Sequence, residues 1–268
     1  MNLRHLTIFL LLLAFCNVSI HATEKKNVLI INSYHKGLKW TDDIVNGITK
    51  GLDELPEEKE IFIEYLDSKR HFDPAYFQSF YELFQVKYTQ KKLDLIMVSD
   101  DSALDFILQY RDRLFNNVPV VFCGINNPHT YPQGYSGIIE NIDYMDNVDL
   151  IKKNHPDYSK IYVIVDETKT GNIIFDRAYR AFLMCNSNCN FEFLRDYTFE
   201  GLNKKVASLD ENAVILLTAF TKDRNNNYCS YNDIVINITS NAKVPVYGIW
   251  DFYLNKGIVG GKMNAGLD

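Results

Sequence analysis

The stretch NVLIINSYHKGLKWTDDIVN, residues 27–46, holds one complete strand–loop–helix transition. Asn27–Ser33 is a nearly continuous apolar run, as expected of a strand covered on both faces. Ile44, Val45, Ile48 and Leu52 then recur at helical spacing. Thr41 is placed to cap that helix, with Asp42 and Asp43 in its first turn. The same order returns three times: IFIEYLD (61–67) into SKRHFDP, LDLIMVS (93–99) into DDSALDF, and PVVFCG (119–124) into INNPHTYP. Repetition of this kind predicts an α/β fold with a mostly parallel sheet, whose ligands bind outside the carboxyl ends of the strands. Those ends carry Ser33, Tyr34, His35, Asp67, Lys69, Arg70, Asp100, Asp101, Ser102, Asn126 and Asn127.

Working outward, Asp73-Pro74 is an N-cap followed by a first-turn proline, and Phe77, Phe80, Tyr81, Phe84 and Tyr88 line one face of the next helix. Asp100 or Asp101 opens a helix that buries Leu104, Ile107 and Leu108. Residues 27–124 are therefore expected to form a first lobe. Segment 125–144, with two prolines and two glycines, reads as a hinge or crossover. Alternation resumes over 145–260: a helix near 146–154, the strand KIYVIVD (160–166), and a helix capped by Thr170. A short strand near 190–195, a weak helix from Phe199, the strong strand Ala213–Thr218, a helix near 231–240 and the strand Val244–Ile249 follow. Residues 261–268 are expected to begin a return to the first lobe, so the chain reads as a two-lobed fold cut short at its C-terminal end.

The 268 residues are 47% apolar, enough for one large core or two modest ones. A net charge of -6 argues against nucleic acid as a partner. Arg4 and His5 precede LTIFLLLLAF, an apolar run too short to span a membrane, and Ile20-His21-Ala22 offers a cleavage site. Residues 1–22 are thus expected to be an export signal, and the mature chain to be periplasmic or otherwise extracytoplasmic. Cys16 would suit lipidation, but Phe15 stands where a small residue is needed. Cys123 reads as a buried thiol, and Cys185 and Cys189 in CNSNC stay open between a disulfide and free thiols. His35, His71, His129 and His155 are scattered singly, and no CxxC or paired histidines support a metal; no cofactor is expected.

The blocks NSYHKGLKWTDDI, EYLDSKR, VSDDSAL, VPVVFCGINN, DETKTGN and PVYGIWDFYLNKGIVGG, in order over residues 27–263, resemble the ABC-transporter substrate-binding-protein-like family. In that family the domain often serves as the extracytoplasmic sensor of histidine kinases and diguanylate cyclases. The resemblance implies a type I periplasmic-binding-protein fold closing around a small organic ligand. Its partner would be a membrane-embedded kinase or cyclase portion, or else an ABC permease. The closing helix and final return strand of a complete member are missing from the resemblance.

Each candidate contact has an ordinary structural alternative. Trp40 beside Ser33, Tyr34 and His35 reads as a stacking wall, or as packing. Asp100 and Asp101 can take a ligand ammonium or cap their helix. Lys69 and Arg70 can neutralise a ligand carboxylate or pair with Asp67 or Asp73. Asn126 and Asn127 follow the fourth strand near the hinge, as ligand donors or as turn residues. On the second lobe Asp166, Thr168, Thr170 and Gly171 precede a helix whose N-terminus suits an anion. Phe220, Thr221, Trp250 and Asp251 follow later strands, and Trp250 is expected to face Trp40 across the ligand. A secreted enzyme is the competing class. The chain has no GxSxG, HExxH, phosphate loop or dinucleotide fingerprint, so no catalytic residue is assigned.

Overall fold

A computed structural model describes residues 25–127, 130–184 and 190–266. The expected export signal with Cys16, His129, and the cysteines Cys185 and Cys189 lie outside the described residues.

The first sheet has the order β2-β1-β3-β4-β5, from strands Lys26–Asn32 (β1), Lys59–Tyr65 (β2), Leu95–Ser99 (β3), Val120–Ile125 (β4) and Tyr135–Ile139 (β5). Its helices are Lys39–Asp53 (α1), Pro74–Tyr88 (α2) and Asp100–Phe115 (α3). The second sheet has the order β7-β6-β8-β9, from Lys160–Ile164 (β6), Phe191–Leu194 (β7), Ala213–Leu217 (β8) and Val246–Gly248 (β9). Tyr144–Asn154 (α4), Lys169–Leu183 (α5), Phe199–Ala207 (α6) and Tyr231–Asn241 (α7) accompany it. Every strand pairing in both sheets is parallel. The expected α/β architecture with two mostly parallel sheets is therefore present.

The apolar runs are strands because both faces are covered: Leu29, Ile30 and Ile31 of β1 are fully buried, as is all of β8. Helix α1 joins the two halves. Its Ile48 and Leu52 pack on Val28 and Ile30 of β1. Its Trp40 and Ile44, with Tyr34 and Leu38 before it, belong to the same apolar cluster as β6, β8 and β9. One amphipathic helix thus serves two cores.

Segment 125–144 is more than a crossover, because it contributes β5 to the edge of the first sheet through pairing with β4. A strand of five mostly exposed residues has neither the apolar run nor the alternation that marks strands in sequence. Three caps also differ from expectation. Helix α1 starts at Lys39 with no side-chain cap, and Thr41 is buried in its first turn. Thr168 rather than Thr170 caps α5, accepting from the Gly171 N–H. Neither Asp100 nor Asp101 caps α3; the Ser33 hydroxyl, arriving from β1, accepts from the Ala103 N–H at 2.8 Å and donates to the Ser99 carbonyl at 2.7 Å. Asp73 does cap α2, as expected.

Gly171 sits where a side chain does not fit. A Cβ there would stand 2.1 Å from Asp166 Oδ1 and 2.3 Å from the Asp166 carbonyl oxygen. Gly171→Ala is expected to destabilise the chain by about 1–3 kcal/mol through overpacking, seen as a lower urea midpoint with an unchanged slope.

Candidate functional site

In both sheets the strand order reverses beside the strand that comes first in sequence, so crevices open between β1 and β3 and between β6 and β8. The two crevices are built alike. In the first, Ser33 bridges to the Ser99 carbonyl. In the second, the Thr218 hydroxyl donates to the Ile164 carbonyl at 2.7 Å. The carboxyl ends of both sheets meet, and a cleft of about 680 Å³ lies between them. The first half lines it with Tyr34, Lys69, Phe72, Phe77, Ser102 and Phe106, and the second with Thr168, Thr170, Arg195, Lys222 and Arg224.

The halves are drawn together around this cleft. Tyr34 Oη lies 3.1 Å from Thr170 Oγ1, and Lys169 pairs with Asp105. Arg177 donates to the carbonyls of Asn126 at 3.2 Å and Glu140 at 3.1 Å. Burial raises the pKa of the Tyr34 phenol, so it stays neutral and can donate.

Asp166 is fully buried and accepts four hydrogen bonds. Thr168 supplies its N–H at 3.1 Å and its hydroxyl at 2.5 Å; Thr221 supplies its N–H at 2.7 Å and its hydroxyl at 3.1 Å. This carboxylate ties the loops after β6 and β8 together, so its place is structural. Asp101 plays the matching part in the first half, accepting from the Asn126 and Asn127 N–H groups at 3.2 and 3.0 Å. Asp100 holds a left-handed backbone at φ 65° and receives Trp40 Nε1–H at 3.0 Å. Left-handed geometry at a non-glycine residue is strained and concentrates at functional loops. Burial, then the charges of Glu140 and Asp101, raise the Asp100 pKa.

Trp40 and Trp250 do not stand apart across a ligand. Their rings meet edge to face with centroids 5.3 Å apart, both buried. The void beside them is about 10 Å³, room for one water at most. The physical reason is the path of α1, which carries Trp40 into the second core. Trp250 is held there by donating to the Thr218 carbonyl at 2.8 Å. Phe220 is likewise core, packed against Phe199. Arg70 pairs with Asp67, and His35 Nδ1 lies 3.3 Å from the same carboxylate. Asp251 stands 3.9 Å from Lys39, away from the cleft wall.

Of the expected contact residues, the cleft wall therefore contains Tyr34, Lys69, Ser102, Thr168 and Thr170. Asn126 instead gives its amide to Glu140 Oε2 at 2.8 Å, while Asn264 donates to Oε1 at 2.9 Å. Sequence reasoning missed Glu140, which follows the short strand β5, and the basic pair Lys222 and Arg224, which follows Phe220-Thr221. The strand-end rule would reach Lys222 and Arg224 if extended a few residues beyond β8. No group of three His, Cys, Asp or Glu residues suited to a metal occurs among the described residues, and no described helix is long and apolar enough to cross a membrane.

No protein-family model matches the sequence, and no curated protein matches it. Solved structures do match. The ABC domain from Streptococcus pneumoniae in complex with L-Trp superposes with a TM-score of 0.66 at 14% identity, covering 91% of this chain and 80% of that one. A ligand-free, open substrate-binding protein with adhesive properties from Clostridium difficile gives 0.57 at 16% identity, covering 88% and 79%. The branched-chain amino acid transporter substrate-binding protein of S. pneumoniae, in complex with isoleucine, gives 0.59 at 12% identity, covering 87% and 68%. The chain has the type I periplasmic-binding-protein fold. In this fold the cleft between the sheets is where the two crevices face each other, and here its walls come from both halves of the chain.

Proposed function

We propose that this chain is a non-catalytic, extracytoplasmic small-molecule-binding domain whose two lobes close on a ligand. The observation that carries the reading is the cleft of about 680 Å³ between the carboxyl ends of two parallel sheets, a size suited to a small organic molecule. Type I relatives by fold include proteins solved with L-Trp and with isoleucine, which makes amino acids and related acids the first candidates. The short apolar run after Arg4 and His5 supports export.

Within that reading the domain is the sensor input of a histidine kinase or diguanylate cyclase, with closure as the signal. The resemblance of blocks such as NSYHKGLKWTDDI and VSDDSAL to sensor relatives supports this role. Service as the binding protein of an ABC permease is the second reading, favoured by the transporter proteins among the fold relatives. A thermal-shift screen over amino acids, organic acids, sugars and nucleobases tests the shared claim. A true ligand at one hundred times its dissociation constant is expected to add about 2.7 kcal/mol of stability. A screen in which no compound moves the melting temperature would sink the binding function.

A further inference from the structure

Lys69 is a group on the cleft whose surroundings are incomplete; Arg195 Nε, on the opposite wall, also lacks a partner, but Lys69 is the more deeply buried of the two cations. It follows β2, beyond the left-handed Asp67, and is 3% exposed. Its ammonium has no hydrogen-bond partner. It lies 4.6 Å from the ring centroid of Tyr34 and 5.6 Å from that of Tyr231. Contact with aromatic faces returns only part of what a buried ammonium loses in leaving water. Burial accordingly lowers the Lys69 pKa, against the pull of Asp166, Asp100 and Asp101.

Those three carboxylates are engaged elsewhere: Asp166 by Thr168 and Thr221, Asp100 by Trp40, Asp101 by the N–H groups of Asn126 and Asn127. From the opposite half, Lys222 brings a further ammonium to the cleft, 4.1 Å from the Phe72 ring centroid, while Lys169 there is paired with Asp105 and the lining carboxylate Asp223 accepts from Asn225 and Asn227. Phe72, Phe77 and Phe106 give the same cleft an apolar wall.

Resting on the binding function above, we propose that the cleft takes a small organic acid. Its carboxylate sits on Lys69 between Tyr34 and Tyr231, and its apolar body lies against Phe72, Phe77 and Phe106. Tyr34 and Tyr231 come from opposite halves of the chain, so the acid meets the ammonium while the lobes are apart and is enclosed as they close. Charge complementation at Lys69 is then what makes closure favourable, since closing without an anion buries a lone ammonium. Ligand chemistry and lobe movement are coupled through one side chain.

The test uses the full chain, its Lys69→Met and Lys69→Arg variants, and matched probes: 3-phenylpropionate and indole-3-propionate with their primary amides. Calorimetric titration at pH 7 is expected to show binding of at least one acid, with its amide at least tenfold weaker. Lys69→Met is expected to lose the acid preference, and Lys69→Arg to keep it. Ligand-free Lys69→Met is expected to melt above the wild type, because the lone buried charge is gone. Equal affinity for acid and amide overturns the inference, as does undiminished acid binding by Lys69→Met. If Lys69→Met fails to fold, the acid–amide comparison on the wild type decides alone. Should neither acid bind while a sugar or nucleobase stabilises the chain, the inference falls and the binding function stands; failure of every compound removes both.

Discussion

Trp40→Ala is expected to lower the melting temperature by on the order of 10 °C, from a loss of about 3–5 kcal/mol. The indole is buried, touches Trp250 edge to face and donates to Asp100. Removing it opens a cavity between the α1 helix and the second core, and strips a buried carboxyl of its donor. Trp250→Ala is expected to do similar damage, since the lost ring also stacks on Phe252 and donates to the Thr218 carbonyl. Scanning calorimetry on the two variants and the double variant is the measurement. Coupling between the substitutions is expected, because the rings are in contact. An unchanged melting temperature with lost ligand binding would instead return the tryptophans to the ligand wall.

The second large effect is one of pH. Glu140 accepts from Asn126 and Asn264, yet burial pushes its pKa up from 4.5 to about 7. The charge of Asp101 adds to the rise, and Arg177 opposes it. Asp100 beside it is raised as well, first by burial. A folded-state pKa above the unfolded value means that the folded chain holds a proton the unfolded chain has released. Stability from Glu140 is therefore full below pH 4.5 and falls as pH rises to about 7. The expected loss is about 3 kcal/mol. Urea unfolding at pH 5 and pH 8 measures it, and Glu140→Gln is expected to reduce the difference, the remainder belonging to Asp100. Lys69, whose pKa is lowered, contributes with the opposite sign, and the comparison of wild type with Glu140→Gln reads the glutamate together with the effect of its charge on Asp100. Equal pH dependence in both chains would clear Glu140 of the role.

The fold was legible because strands buried on both faces announce themselves. The runs in β1, β3, β6 and β8 needed no tertiary information, and each was followed by a helical period. Edge strand β5 was illegible for the converse reason, since TyrSerGlyIleIle is largely exposed and carries no period. Cleft residues were legible only as strand ends. Which side chain turns inward depends on loop paths that sequence does not state: Lys69 turns in while Arg70 turns out to Asp67. The tryptophans show the same limit at greater range. Their position after strands was readable, but their contact depends on how α1 crosses to the second core.

That crossing has a consequence for how the chain is made. The whole five-stranded sheet lies between Lys26 and Ile139, so it can assemble while the rest is still being synthesised. Tyr34, Leu38, Trp40 and Ile44 belong to a core whose other members begin at Ile142. Until those arrive, the early half presents a sticky aromatic stripe on an otherwise finished sheet. Aggregation of a chain stalled at that stage would then depend on how fast the second half follows to cover those side chains.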